Sequence, residues 1–387
     1  MALRVLAIYG TRPEAIEMAP VIAAGGSAID VLPVVTGQHR EMLTQVNDVF
    51  GITPLADLAV FESGMGLSTL GARMIAALPE VLHRYNPDAV LVQGDTTTAF
   101  AAAVAAYYER LPVFHLEAGL RTGSIDSPFP EEGNRRMISQ VTRLHLAPTP
   151  AARDNLLATG IEPRDVVVTG NTVIDALHST LARVDRYTDA RLDQLDASRP
   201  ALLATSHRRE SWGEPMRRTA KALAQIAHRR PDLDIVLPLH PNPAVRAIFE
   251  PVLAGLPNVL LTDPLAYPDL CLLLNRSTMV LTDSGGIQEE APALGKPVLV
   301  LRDETERPEA VQAGTAILVG TDTDTIVGRV LELMDDPIRY AAMATARNPF
   351  GDGHAAARTV AAMRAHFGES TRLADFDPDI ISSGASE

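Results

Sequence analysis

The chain has 387 residues, 46% of them hydrophobic and 21% charged, with a formal net charge of −14. That balance is ordinary for a globular protein, and the length favours two domains over one large core. An acidic surface argues against a nucleic-acid partner, which needs a basic face. No apolar run is long enough for a membrane span, and the single cysteine, Cys271, rules out an internal disulfide and fits a reducing, cytoplasmic compartment.

In chain order, Leu3 to Tyr9 is a short apolar run with no basic leader. It reads as a buried strand rather than a signal peptide, and Pro13 sits where a helix can begin. Val31 to Thr36 is a second such run, and Ala89 to Val92 leads into Gln93-Gly94-Asp95. The alanine-rich stretch Thr98 to Arg110 reads as a helix; Pro112 to Leu116 is a strand ending at Glu117-Ala118-Gly119. Leu144 to Ala147 and Val166 to Thr169 complete a first half, and the polar stretch Arg183 to Pro200 reads as a helix end plus linker. The second half repeats the pattern: Ala201 to Thr205, Asp234 to Leu239, Val259 to Thr262, Thr278 to Thr282, Pro297 to Leu301 and Ala316 to Val319. Residues after Gly368 are rich in Ser, Asp and Pro and read as a mobile tail.

Short, fully apolar strands alternating with helices mean parallel sheets covered on both faces. The expected fold is therefore α/β, with two Rossmann-like, doubly wound domains facing a cleft. The expected boundaries are 1–172, 173–368 with the last helix packing back on the first domain, and 369–387 as the tail. Open α/β sheets bind ligands at the carboxyl ends of their strands, and there the polar residues collect.

Asp283-Ser284-Gly285-Gly286 followed by Ile287 to Glu290 joins a strand to a helix start. Gly285 and Gly286 allow close backbone approach, N–H groups there suit a diphosphate, Ser284 adds a hydroxyl, and Glu290 can accept from a ribose. Read alone, the segment serves equally well as a capped turn. Gly10-Thr11-Arg12-Pro13-Glu14 is a similar junction in which Arg12 can clamp a phosphate, though it lacks a full dinucleotide fingerprint or a Walker lysine. Asp95, Glu117 and Glu131 are three carboxylates at strand ends or in loops. Clustered, they would repel one another, raise some of their pKa values and so suit acid/base work; singly, Asp95 and Glu131 suit helix caps. His207-Arg208-Arg209-Glu210 can meet a leaving phosphate, or simply form a basic helix entry. His39 and His115 show no convincing metal spacing.

These motifs together resemble the bacterial non-hydrolysing UDP-N-acetylglucosamine 2-epimerases. The likeness runs in order through Gly10 to Ile16, Gln93 to Thr96, His115 to Arg121, Pro128 to Glu132, Gly170-Asn171, His207 to Glu210, His240 to Pro243, Thr282 to Gly295 and Thr305 to Glu309. It implies a glycosyltransferase-B-like fold, a homodimer, and a reaction without metal or nicotinamide. In that reaction UDP is eliminated to leave 2-acetamidoglucal and adds back after C2 is reprotonated on the opposite face. By resemblance, Asp95, Glu117, Glu131 and His207 are the catalytic set. Arg12, Arg135, Arg208, Asn242, Ser284, Gly285, Gly286, Glu290 and Arg307 bind UDP-GlcNAc and UDP-ManNAc, with Asn134, Arg135 and Arg121 also standing behind the carboxylates. Gln38, His39, Arg40 and His240 resemble the remnant of a second, activating substrate site. Two departures stand out: Glu17 replaces the family's usual lysine, and Leu67-Ser68 replaces an Arg-Gln pair. The second implies weak or absent activation by substrate. Hydrolytic release of ManNAc, or a UDP-sugar-binding protein without catalysis, are the alternative readings.

Overall fold

The computed structural model describes residues 2–27, 29–37, 40–62, 64–208 and 211–379. Their contacts divide into two compact units: residues up to Ser179 together with those from Phe350 on, and Thr180–Pro349.

In the first unit the elements run β1 (Leu3–Tyr9), α1 (Arg12–Gly25), β2 (Ile29–Val35), α2 (Arg40–Phe50), β3 (Ala56–Asp57), α3 (Leu67–Tyr85), β4 (Ala89–Gln93), α4 (Thr97–Tyr108), β5 (Val113–Leu116), α5 (Glu131–Val141), β6 (Leu144–Ala147), α6 (Pro150–Ala158), β7 (Val166–Val168) and α7 (Thr172–Leu181). In the second they run β8 (Ala201–Thr205), α8 (Glu214–Arg229), β9 (Asp234–Pro238), α9 (Pro243–Leu253), β10 (Val259–Thr262), α10 (Tyr267–Arg276), β11 (Met279–Thr282), α11 (Ile287–Ala293), β12 (Val298–Val300), α12 (Pro308–Gln312), β13 (Ala316–Leu318), α13 (Thr323–Asp335) and α14 (Pro337–Ala344). The last helix, α15 (Ala355–His366), returns to the first unit and packs on α1.

Every strand pairing is parallel. The sheet orders are β3-β2-β1-β4-β5-β6-β7 and β10-β9-β8-β11-β12-β13. Both therefore reverse direction once, between β1 and β4 and between β8 and β11. Such a switch point leaves adjacent strand ends whose helices depart to opposite faces, which opens a crevice at the carboxyl edge. Burial explains why the strands were readable: β4, β5, β6, β7, β11 and β12 are buried at every position. In the first unit Leu6, Ile8, Val90 and Val92 pack against Met74 and Leu78 of α3 and the alanines of α4. In the second, Leu202, Ile235 and Leu281 pack under Leu223, Phe249, Ile326 and Val330.

The expected linker is not loose. Thr188 donates its N–H and hydroxyl to the two carboxylate oxygens of buried Asp269 on α10, at 2.8 and 2.5 Å. The segment after Gly368, expected to be mobile, is anchored in its described part. Phe376 is buried, its N–H donates to the Val168 carbonyl at 2.7 Å, and the Arg358 guanidinium lies 5.6 Å from its ring centre. One aromatic outweighs the polar composition around it. Residues 380–387 lie outside the described residues.

Candidate active site

At the first unit's switch point, the chain leaves β1 through Gly10 and Thr11, and Glu14 holds that turn. Its fully buried carboxylate accepts the N–H groups of Gly10 and Thr11 at 2.9 and 2.7 Å and, on its other oxygen, the Thr96 hydroxyl at 2.6 Å. Burial pushes its pKa up, against those hydrogen bonds. Glu14 so completes a capping box with Thr11 and ties the β1–α1 turn to the β4–α4 turn. Arg12 opens α1, half-buried.

Beyond β4, Gly94 takes a left-handed φ of 66°, and a Cβ there would lie 3.2 Å from a Glu117 carboxylate oxygen. A side chain there would strain the backbone and crowd that carboxylate. Thr96, not Asp95, caps α4, accepting the Ala99 N–H at 3.0 Å. Asp95 is thereby left for Arg135, whose Nε and Nη2 both reach its Oδ2 at 2.8 Å, while Asn134 donates to the Asp95 carbonyl at 2.8 Å. Arg135 also meets buried Glu132 at 3.0 Å. Burial disfavours the Arg135 charge, but the Asp95, Glu117 and Glu132 carboxylates outweigh it and raise its pKa. Glu131 is the first residue of the same helix, about one turn before Arg135, where the helix dipole favours an acid.

Glu117 follows β5 with a φ of +59°. A non-glycine residue there stores roughly 1 kcal/mol or more of strain. Its Oε2 accepts the Gln93 amide nitrogen at 2.8 Å. Beneath it, the fully buried His115 donates from Nε2 to the Gly94 carbonyl at 2.7 Å. Burial pushes the His115 pKa down to about 4, so at neutral pH it is an uncharged donor that steadies the Asp95 turn. Asp95 and Glu117 thus stand on neighbouring strand ends beside a fixed guanidinium, a set able to take and give protons.

At the second unit's switch point, β8 leads into His207 and Arg208, and β11 into Asp283. Asp283 is fully buried: Oδ1 lies 2.8 Å from His207 Nδ1, and Oδ2 accepts the N–H groups of His207 and Arg208 at 2.8 and 2.9 Å. Burial opposes its ionisation, yet the His207 ring and these N–H groups hold it below the usual carboxylate range. Asp283 so holds the Nδ1 side of the half-exposed His207 ring, the way a carboxylate orients an imidazole. Arg208 Nε donates to the Asp283 carbonyl at 3.0 Å.

Gly285 is glycine for room. A Cβ on it would sit 3.3 Å from Arg307 Cζ and 3.6 Å from Arg208 Nη2, so two guanidinium groups converge over its backbone. Arg307 is oriented by Glu289 at 2.7 Å, and both arginines reach Glu306 at 3.3 to 3.4 Å. Burial opposes the Glu306 charge, but Arg208, Arg307 and Arg302 together lower its pKa. Thr305 donates to Gln288, and Gln288 to the Ser284 carbonyl, binding the arginine segment to α11. Gly286 precedes α11. Glu290 is buried and accepts the Tyr267 hydroxyl at 3.0 Å. Two guanidinium groups over a bare backbone are a set able to receive a phosphate group.

A profile of the UDP-N-acetylglucosamine 2-epimerase family matches residues 24–364. The UDP-N-acetylglucosamine 2-epimerase of Yersinia pestis is 46% identical over 372 residues, covering 94% of this chain and 99% of its own length. The chain belongs to the UDP-N-acetylglucosamine 2-epimerase family. Two solved members share its architecture. The Neisseria meningitidis UDP-GlcNAc 2-epimerase, solved bound to UDP-GlcNAc, has 44% identity and a TM-score of 0.87, with 94% of this chain and 100% of that one covered. Staphylococcus aureus MnaA, in co-structure with UDP, has 41% identity and a TM-score of 0.88, with 97% and 100% covered.

Within this epimerase-family chain, the sequence-predicted residues divide between the two units: in one, Asp95 and Glu117 follow β4 and β5 beside Arg135, with Arg12 and Glu131 at the first positions of α1 and α5; His207, Arg208, Ser284, Gly285, Gly286, Glu290 and Arg307 lie in the other. Asn242 is engaged locally, capping α9 through the Ala244 N–H at 2.9 Å, and His240 Nδ1 accepts the Asn242 N–H at 3.1 Å. Gln38, His39, Arg209 and Glu210 lie outside the described residues, as does the Arg40 side chain. Sequence reasoning assigned no role to Gln93, Glu14, Asp283 or Glu306. Asp283 and Gln93 carried a signal, a polar residue directly at the end of an apolar strand; the role of Glu306 is visible only once three arginines surround it.

Proposed function

We propose that the chain catalyses the reversible, non-hydrolysing C2 epimerisation of UDP-N-acetylglucosamine to UDP-N-acetylmannosamine. A carboxylate base takes the C2 proton, the C2–H electron pair forms the C1=C2 bond, and the C1–O bond breaks with its pair leaving on UDP. UDP then adds back to C1 as a proton is delivered to the opposite face of C2. Asp95, Glu117 and Glu131 carry the proton work; His207, Arg12, Arg208, Arg307 and the Ser284-Gly285-Gly286 backbone hold the diphosphate, and Glu290 the ribose. The reading rests chiefly on one observation: two carboxylates just beyond the adjacent strands β4 and β5, each with a fixed partner, in a chain alike over nearly its full length to enzymes named for this reaction.

Proton NMR with UDP-GlcNAc in deuterated water tests it. UDP-ManNAc carrying deuterium at C2 is the expected product. Free ManNAc and UDP would replace the reading with hydrolysis, and binding without exchange would reduce the chain to a binding protein.

The chain is further proposed to act in the cytoplasm as a homodimer. Supporting this, α3, α4 and α5 pack side by side and leave Leu67, Tyr107, Tyr108 and Met137 exposed, the kind of residues that obligate interfaces cover. Analytical ultracentrifugation is expected to give a dimer, which Tyr108→Glu weakens.

A further inference from the structure

Glu17, one of the two points at which the sequence departs from the pattern it resembles, is not on the surface. It lies on α1 and is buried with only 8% of its area exposed. Its carboxylate accepts the Gln93 amide nitrogen at 2.6 Å. The same nitrogen donates to Glu117 at 2.8 Å. A carboxamide nitrogen carries two N–H groups, so one is spent on each carboxylate. Gln93 is itself buried, at the end of a central strand, where an N–H without an acceptor is costly.

We propose that Glu17 is a positioning residue for Glu117, acting through the forked Gln93 amide. The inference rests on the reading of Glu117 as an acid/base group. With Glu17 accepting one N–H, the amide plane cannot turn, and the other N–H stays aimed at Glu117. Glu117 needs such a fixed donor: its left-handed backbone directs the chain, but a glutamate side chain has three further rotatable bonds. One turn before Glu17 on the same helix face, Glu14 grips Thr96. The two α1 carboxylates therefore hold residues 93 and 96, on either side of Asp95, and α1 braces both acid/base positions at once. Glu17, Glu14, Glu117, Asp95, Arg135 and Glu132 are among the charged groups of this assembly.

The test is steady-state epimerisation together with C2 deuterium exchange on three Glu17 variants of the full chain. Glu17→Gln keeps an oxygen acceptor at the same reach but loses the charge; Glu17→Asp keeps the charge but loses the reach; Glu17→Met keeps the volume and neither. The expected result is that Glu17→Gln stays within about threefold of the unaltered kcat, while Glu17→Asp and Glu17→Met lose about 10- to 100-fold in kcat and in exchange rate with KM within about twofold, the signature of a misplaced reacting group. Gln93→Leu combined with Glu17→Met should be no slower than Gln93→Leu alone, because both break the same fork. Should Glu17→Met fail to fold, the Gln and Asp variants still decide. Full activity in Glu17→Asp, equal losses in Glu17→Gln and Glu17→Asp, or additive losses with Gln93→Leu would overturn the proposal. An unaltered protein with no C2 exchange would instead remove the function reading beneath it, whereas exchange that is lost in Glu117→Gln but untouched in Glu17→Asp and Glu17→Met would remove this inference alone.

Discussion

On the proposed reading, Glu117 and Asp283 bear on the chemistry in two ways, one through its own backbone and one through the partners it holds. Glu117 occupies a left-handed backbone position without being glycine. Glu117→Gly relieves about 1 kcal/mol of strain but strips one acceptor from the buried Gln93 amide at a comparable cost, so Tm is expected to move little while epimerisation falls about 10²- to 10⁴-fold. A marked drop in Tm on calorimetry would mean that the side chain, not the backbone, dominates there. Asp283 is a buried acceptor of two N–H groups and pairs with the His207 ring. Asp283→Asn must turn an NH2 group toward one of these donors, so His207 loses its fixed orientation, and kcat/KM should fall about 10- to 100-fold. Nitrogen NMR of the His207 ring should show a changed tautomer balance. Asp95 and Glu117 were legible because they follow apolar strands. The roles of Asp283 and Glu306 were not, because their partners are brought in from 76 and 98 positions away by sheet pairing and loop packing.

Among the elements, the adjacent strands β5 and β6 carry a buried histidine pair in register, His115 and His145. Burial pushes their pKa values down to about 4 and about 3. In the unfolded chain both rings take up protons below about pH 6.5. Between that pH and their folded values the unfolded state binds more protons, so stability is lost as pH falls, by up to about 1.4 kcal/mol per pH unit for each ring. Glu14 and Asp175, raised by burial, act in the opposite sense just above the ordinary carboxylate range. The clean readout is thus a comparison: His145→Met should show a smaller Tm drop from pH 7.5 to 5.5 than the unaltered chain. Equal drops would assign the acid sensitivity elsewhere. Long elements with both faces covered were legible as apolar runs. The two-residue β3 and five-residue α12 were not, since neither is long enough to show a period.

For the molecule as a whole, the two doubly wound sheets followed from the alternation of strands and helices, but strand order did not, because nothing local encodes which strand ends meet. Nor did composition reveal that the segment beyond Gly368 docks. Ending the chain at Gly368 removes the buried Phe376 and its bond to Val168, and is expected to cost about 2 kcal/mol. Hydrogen exchange should then quicken at β6 and β7 while β8 and β11 keep their protection; uniform loss in both units would contradict this. The Leu67-Ser68 departure belongs to this scale too. A hyperbolic dependence of rate on UDP-GlcNAc is expected, and a sigmoidal curve would show that substrate activation survives.

The return of α15 gives the chain an order of assembly. Asp175 accepts the N–H groups of Ala355 and Ala356 at 3.1 and 2.9 Å, and the Asn171 N–H donates to the Phe350 carbonyl at 2.6 Å. The first unit is therefore finished by residues that a ribosome makes about 180 positions after its own α7. Synthesis delivers the whole of Thr180–Pro349 before that closure is available. A nascent chain halted near residue 349 would carry a finished second unit and a first unit with the α1 face that receives α15 still uncovered, open to chaperones and proteases until the last helix arrives.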